Sequence, residues 1–229
     1  MEILHVLNRG VDKRRIFLDD EDRYRFIHDM FEFNDLETTN TSHFFARQYY
    51  DVRRRNIGVR ERKPRKLLVK VLAFCVMPNH YHMLLMPARK NGVVLFMKKL
   101  NGGYAKYFNE KYDRQGTLFQ SRYKKIPVTR EAHFTHLPYY IHLNPLDLEM
   151  PGWRSREIND YRKAMKFLKS YRWSSHLDYL GIKNFPSVTQ RDFLLEFFGG
   201  HKEYERSIKN WLQELDLEKF KEMTLEDKV

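Results

Sequence analysis

The spacing of hydrophobic and polar residues predicts a regular succession of strands and helices over residues 3–144. Period-two alternation and short apolar runs predict strands at residues 3–8, 67–77, 80–86 and 118–128. Apolar residues at three-to-four spacing predict helices at residues 20–32, 93–112 and 129–144. Pro78-Asn79 either turns a hairpin between the second and third strands or interrupts one long strand. This order indicates an α+β fold in which helices cover a small antiparallel sheet.

Single residues refine the three predicted helices. Asp19 or Asp20 can cap the first helix. Gly102-Gly103 destabilises the second helix, and therefore marks either a close backbone approach or a break. Pro138 predicts that the third helix is kinked or begins there, because proline lacks an N–H group and disfavours helix at the residue before it.

Two segments depart from the strand–helix pattern. Residues 34–66 are polar and end in the basic clusters 53–55 and 60–66. Such a run is either a solvated, mobile segment or an arm that contacts phosphates. Residues 151–229 contain three helix-like stretches. We therefore predict a domain at 1–150 with a basic insertion at 34–66, followed by a mostly helical C-terminal extension at 151–229.

The net charge of the chain indicates which kinds of partner it can bind. It has 42 Lys and Arg against 30 Asp and Glu, a net charge of +12, which favours polyanions or anionic membrane surfaces. The 14 Tyr, 17 Phe and 3 Trp suit single-stranded nucleic acid, whose bases stack on aromatic rings. Burial in the core is the alternative role for most of the Phe side chains.

Cysteine count and hydropathy indicate the compartment. Cys75 is the single cysteine, which excludes an internal disulfide and a cysteine-based zinc finger. No apolar run approaches the ~18 residues of a membrane span, and the N-terminus has no signal-peptide pattern. We therefore expect a cytoplasmic, nucleoid-associated protein with no membrane partner.

His80 and His82 form the first motif that could carry chemistry. In a strand, residues i and i+2 face the same way, so both imidazoles project from one face and Tyr81 from the other. Neutral imidazole binds most first-row divalent ions. By itself such a pair is usually a pair of surface or core histidines, and it indicates a metal site only in combination with further ligands.

Tyr140 and Asn144 form the second motif. In a helix, residues i and i+4 are neighbours, so the phenol and the amide lie one turn apart, with His142 on another side. Asn144 can offer an oxygen ligand, and Tyr140 can offer its hydroxyl as a nucleophile. Because the free pKa of tyrosine is about 10, a metal, a lysine or a water would have to assist. Ordinary helix packing is the alternative role for Tyr140.

Five short segments occur in order along residues 3–182. They are Asn8-Arg9-Gly10, Met77–His82, Leu118–Lys124, Tyr140–Pro145 and Trp173-Ser174-Ser175. Their combination resembles the single-tyrosine HUH transposases, and most closely the REP-associated tyrosine transposase branch. The resemblance implies a ferredoxin-like sheet with the histidine pair on a central strand. It also implies Mg²⁺ or Mn²⁺ held by His80, His82 and Asn144, with Tyr140 as the nucleophile.

The same resemblance implies a reaction and a partner. Single-stranded or hairpin DNA would be cleaved to a 5′-phosphotyrosine and a free 3′-hydroxyl, and the covalent link would keep the energy needed for rejoining. Related insertion-sequence enzymes work as dimers, whereas the REP-associated branch need not. A monomer and a homodimer therefore both stay open.

Basic and polar side chains elsewhere are candidates for contact with DNA or with the site. His5 and Asn8 on the first strand could approach the histidine pair. The candidates for phosphate contact are Arg53, Arg54, Arg55, Arg62 and Lys63 in the insertion, and Arg122, Lys124 and Lys125 on the fourth strand.

Two rival functions fit the same residues. A non-catalytic module that binds single-stranded nucleic acid would explain the charge and the aromatic content. A metal-dependent phosphodiesterase would use water as the nucleophile and leave Tyr140 with a structural role.

Overall fold

A single antiparallel sheet of four strands organises the protein. The computed structural model describes residues 2–37, 65–129, 131–155 and 157–214. The strands are β1 (Leu4–Arg9), β2 (Val69–Met77), β3 (His80–Pro87) and β4 (Lys124–Pro127). Their order across the sheet is β2-β3-β1-β4, so β1 and β3 are the inner strands.

Two helices connect the strands in the order of a ferredoxin-like fold. Helix α1 (Asp20–Glu32) follows β1, and helix α2 (Gly92–Lys111) follows β3, which gives a strand–helix–strand–strand–helix–strand unit. Pro78-Asn79 turns a hairpin, since Met77 pairs with His80. The α+β, ferredoxin-like class is therefore confirmed. The fourth strand is shorter than the predicted segment 118–128.

The two faces of the sheet carry different side chains. One face packs on α1 and α2 through a buried apolar cluster that contains Val6, Phe74 and Met83. Tyr81 points to this side, where its hydroxyl donates to Oδ1 of Asn101 at 2.6 Å. Side chains alternate along a strand, so the residues on either side of Tyr81 face the other way.

The opposite face is covered by the C-terminal half of the chain. The helices there are α3 (Glu131–Leu143), α4 (Tyr161–Ser170), α5 (His176–Tyr179), α6 (Asp192–Phe198) and α7 (His201–Glu214). Their buried side chains share one apolar cluster with β2 and β3, in which Leu84, Ile141 and Trp153 take part. The boundary at residue 150 stays a prediction. In the described part of the chain, no helix combines the length and apolarity needed to cross a membrane.

The segment 173–175 closes the outer edge of β2. The amide of Val76 donates to the carbonyl of Trp173 at 2.9 Å, and the amide of Ser175 donates to the carbonyl of Phe74 at 3.0 Å. Unpaired strand edges are a liability in solution. The Trp-Ser-Ser motif therefore has a structural role that its sequence alone did not indicate.

Helix α1 begins at a capping box. The side chain of Asp19 accepts from the amide of Asp22 at 2.9 Å, and the side chain of Asp22 accepts from the amide of Asp19. Of the two predicted caps, Asp19 is therefore the one used. Such a cap satisfies backbone donors that the first helical turn leaves open.

The adjacent glycines of α2 lead to a prediction with an internal control. A Cβ atom at Gly103 would lie 2.4 Å from Cε2 of Phe33, whereas nothing lies within 4 Å of one at Gly102. We expect Gly103→Ala to lower the free energy of unfolding by about 1–3 kcal/mol, because the ring must shift. We expect Gly102→Ala to raise it by roughly 0.5–1 kcal/mol, because alanine is the better helix former. Urea unfolding of both variants measures this, and effects of the same sign would contradict it.

Candidate active site

His80 and His82 project from one face of β3, as their spacing predicted. Their ring centroids lie 5.0 Å apart, and both side chains are buried. Strand β1 brings His5 to the same face, where its Nε2 atom lies 3.0 Å from Nδ1 of His82. Asn8 lies on the other face, where its amide nitrogen is 3.4 Å from the carbonyl oxygen of Ser121. Three imidazoles therefore meet on the side of the sheet that α3 covers.

Hydrogen bonds and burial orient the histidine pair. Oδ1 of Asn79 lies 2.6 Å from Nδ1 of His80, and a proton on Nδ1 leaves the Nε2 lone pair for a ligand. A proton on Nδ1 of His82, directed at Nε2 of His5, would do the same for the Nε2 atom of His82. Burial, with two arginines nearby, holds the pKa of His82 well below its usual value. His82 is therefore neutral, which is the form of imidazole that binds metals.

Helix α3 places the phenol of Tyr140 beside these imidazoles. The ring centroid of Tyr140 lies 5.9 Å from that of His82 and 6.2 Å from that of His5. The side chain is buried, with 2% of its surface exposed. Pro138 lies inside α3, so the helix does not begin there and the phenol lies beyond its first turn. The sequence-predicted nucleophile and the histidine pair are thus brought together within one chain.

Asn144 joins this cluster at the end of α3. Its Nδ2 atom donates to the carbonyl of Tyr140 at 2.8 Å, as expected for side chains one turn apart. Its Oδ1 atom accepts from Nη2 of Arg154 at 2.9 Å. The guanidinium of Arg154 also lies 5.1 Å from the ring centroid of Tyr140 and forms an ion pair with Asp147 at 2.8 Å.

Arg154 is a site residue that sequence reasoning did not identify. It lies in the 3₁₀ helix Pro151–Ser155, outside the segments whose spacing indicated chemistry. The signals available were its positive charge and its position shortly after Asn144. Neither predicts that the chain turns back to put a guanidinium against both the phenol and the amide.

A cleft of about 370 Å³ opens beside His80. Its lining includes Arg9, Arg15 and Asp147. Arg9 belongs to the first of the recognised motifs, and Arg15 is exposed. Guanidinium groups bind phosphate oxygens with paired hydrogen bonds, so the cleft suits a phosphodiester that approaches the histidine pair.

The donor atoms fit a divalent cation. Two imidazoles and an amide oxygen are nitrogen and oxygen ligands of the kind that first-row divalent ions accept. Arg154 takes one acceptor position of the Asn144 oxygen, and a carbonyl oxygen has two. Among the described residues, no group of three or more His, Cys, Asp or Glu side chains is arranged to hold a metal. Asn144 is therefore needed to complete a set of three protein ligands.

The predicted DNA-binding residues fall into two groups. Arg53, Arg54, Arg55, Arg62 and Lys63 lie outside the described residues. On β4 the neighbouring lysines face opposite ways, because Lys124 pairs with Leu7 and Lys125 pairs with Val6. Leu7 also pairs with His82, so Lys124 lies on the imidazole face. Arg122 and Lys125 line a cleft on the other face.

Behind α3, a buried polar network involves His142. Its Nδ1 atom lies 2.7 Å from the hydroxyl of Tyr204, and its Nε2 atom lies 2.7 Å from Oγ of Ser175. His176 contacts the same Tyr204 hydroxyl through Nδ1 at 2.9 Å. Burial lowers the pKa of His142 well below its usual value and lowers the pKa of His176 to about 3. His142 is therefore part of the scaffold behind Tyr140.

The network predicts that acid destabilises the protein. An unfolded histidine takes up a proton below about pH 6.5, whereas folded His176 stays neutral down to about pH 3. Between these two pH values the unfolded state binds more protons than the folded state does. The free energy of unfolding therefore falls by roughly 1.4 kcal/mol per pH unit for each such histidine as pH decreases.

Urea unfolding from pH 7.5 to 4.5 measures this slope. We expect His176→Gln to reduce the slope below pH 6 by about one proton's contribution and to leave the slope above pH 7 unchanged. Equal slopes for the variant and the wild type below pH 6 would show that His176 is not buried in its neutral form.

Comparison with known proteins shows that part of this chain is similar to transposases. Residues 50–144 match the family model described as transposase IS200 like, and no curated protein matches the chain. A solved structure of a REP-associated tyrosine transposase bound to a REP hairpin is similar with a TM-score of 0.41 and 10% identity, over 80% of this chain and 82% of that chain. The segment matched by the family model contains His80, His82, Tyr140 and Asn144. Over this segment the chain is therefore similar to the IS200-like transposases, which confirms the resemblance to transposases inferred from its motifs.

Proposed function

We propose that this protein cleaves and rejoins single strands of DNA through a covalent bond to Tyr140. The observation that carries the proposal is the position of the Tyr140 ring, 5.9 Å from that of His82, inside a segment that matches transposases. The net charge of +12 and the resemblance support single-stranded or hairpin DNA as the substrate.

The proposed step is an in-line exchange of one phosphoester bond for another. The oxygen of Tyr140 forms a bond to phosphorus, and the bond from phosphorus to the 3′ oxygen breaks. The phenolic proton leaves, and the 3′ oxygen gains a proton. The products are a 5′-phosphotyrosine and a free 3′-hydroxyl, and the reverse attack restores the DNA without a nucleotide triphosphate.

The surrounding residues have separate roles in this proposal. Arg9 and Arg15 would hold the phosphate in the cleft beside His80. Arg154 would stabilise negative charge that develops on the phenol oxygen, since preorganised cations act strongly in a site that excludes water. Lys124, on the imidazole face, would contact the backbone of the incoming strand.

Three side chains would hold Mg²⁺ or Mn²⁺ in the proposed site: His80, His82 and Asn144. When bound, the ion would polarise the scissile phosphate and stabilise charge in the transition state. His5 would orient the ring of His82, a role that second-layer partners of metal ligands commonly have. Because one chain supplies the phenol and all three ligands, the chemistry does not require a second protomer, and both a monomer and a homodimer stay compatible with it.

The proposal is tested by trapping the covalent intermediate. The protein is incubated with end-labelled, hairpin-containing single-stranded DNA and Mn²⁺, and then denatured. We expect a labelled adduct that EDTA prevents, and peptide mass spectrometry should find the nucleotide on Tyr140. Cleavage without any adduct would instead indicate a phosphodiesterase in which water attacks. Salt-sensitive binding without cleavage would indicate a non-catalytic DNA-binding protein.

A further inference from the structure

A second cleft lies on the face of the sheet opposite to Tyr140. It has a volume of about 620 Å³ and lies between the first half of α2 and the segment that leads into β4. We call it the α2–β4 cleft. Ligand pockets typically have volumes of about 300–1,000 Å³, so it can enclose a nucleotide.

We propose that the α2–β4 cleft binds one unpaired nucleobase of the DNA strand that Tyr140 cleaves. The proposal rests on the function proposed above for the choice of DNA as the ligand. It adds a recognition site that is separate from the chemistry.

The rim of the cleft is positively charged. Lys98, Arg122 and Lys125 line it, and all three are exposed. The lining contains no Asp or Glu, and within the described part of the chain none of the three forms a salt bridge. Exposed cations without acidic neighbours attract a polyanion, and each phosphate contact releases counterions.

The walls and floor suit a base. Phe119 and Tyr123, which are both partly exposed, provide aromatic surface, on which bases stack regardless of sequence. The hydroxyl of Tyr81 donates to Oδ1 of Asn101 at 2.6 Å, which fixes the orientation of that amide. Its Nδ2 atom has no acceptor among the described residues and can donate to a base oxygen or ring nitrogen.

The surroundings favour a nucleotide within a longer strand over a free nucleotide. A neighbouring cleft of about 480 Å³ shares Val94 and Lys125 with the first and continues past Arg89 and Lys90. Strand β4 is at the edge of the sheet, and its two lysines face opposite sides. A DNA strand that passes over this edge would meet Lys124 on the side of Tyr140 and Lys125 at the α2–β4 cleft.

The first experiment measures DNA affinity by fluorescence anisotropy. All protein variants carry Tyr140→Phe and all samples contain EDTA, so that DNA cleavage does not affect the measured affinity. We expect the triple variant Lys98→Gln, Arg122→Gln, Lys125→Gln to bind at least about tenfold more weakly at low salt. The matched control removes three exposed lysines from α4 and α7, with Lys166→Gln, Lys202→Gln and Lys209→Gln, and should bind within about twofold of the parent.

The second experiment locates the base. Oligonucleotides carry one abasic site at successive positions, and we expect one position to lower affinity by about tenfold, the scale of one stacked base. Tyr123→Ala changes a partly exposed side chain. In this variant the same abasic site should cause no further loss of DNA affinity. Circular dichroism verifies that each variant is folded.

Two results would overturn the inference. One is equal affinity of the cleft triple variant and its control, and the other is an unchanged abasic effect in Tyr123→Ala. Failure of the proposed function is distinguishable, because wild-type protein would then form no adduct even though the cleft variants bind DNA weakly.

Discussion

Replacing Tyr140 with phenylalanine should abolish both adduct formation and strand cleavage, by at least about a thousandfold, as for the loss of other catalytic nucleophiles. Only the phenolic oxygen of this residue can form the covalent bond. The aromatic ring itself is kept, so the contacts with His82 and with the guanidinium of Arg154 persist. We therefore expect DNA affinity to stay within about twofold of the wild-type value, since no phosphate contact is lost.

Tyr139 provides a matched control on the same helix. Its ring packs on Phe198 and Tyr204, with centroid distances of 5.0 and 5.8 Å, on the side away from the imidazoles. Tyr139→Phe should therefore cleave DNA at close to the wild-type rate. Cleavage by Tyr140→Phe, or its loss in Tyr139→Phe, would disprove the assignment of the nucleophile.

Replacing His82 with alanine should have the second-largest effect. A lost ligand should weaken Mn²⁺ binding by more than about a hundredfold, the upper end of the effect of outer-layer partners. His5→Ala removes such a partner, because Nε2 of His5 contacts Nδ1 of His82 at 3.0 Å. We expect it to weaken binding by about 10–100-fold. His82→Ala should therefore weaken Mn²⁺ binding more than His5→Ala does.

Electron paramagnetic resonance of Mn²⁺, recorded without DNA, measures these affinities independently of activity. Cleavage rates at saturating and limiting Mn²⁺ then show whether excess metal rescues His5→Ala but not His82→Ala. Wild-type metal affinity in His82→Ala would exclude the histidine pair as ligands. The role of Tyr140 would still be tested separately, by comparing cleavage in Tyr140→Phe and Tyr139→Phe.

The sequence predicted those parts of the site that depend on local periodicity. Period-two spacing put His80 and His82 on one face of β3, and one helical turn linked Tyr140 to Asn144. The strand–helix order also predicted a small antiparallel sheet covered by helices, whereas its ferredoxin-like arrangement was implied by the family resemblance.

Contacts between distant or irregular segments could not be predicted in this way. Arg154 reaches Tyr140 from a 3₁₀ helix that has no apolar repeat to place it. His5 was only a weak candidate, because strand pairing, and not its own sequence, puts it next to His82. The pairing of residues 173–175 with β2 is likewise a long-range contact without a local pattern.

That last pairing affects how the protein can be shortened for engineering. A fragment ending near residue 150 would retain the phenol, the amide and the imidazoles, yet it would lack Arg154 and the backbone partners of β2. It would also present to water the apolar surface that helices α4 to α7 now cover. A shortened form of this chain should therefore keep the residues up to Leu212, the last side chain in that cluster.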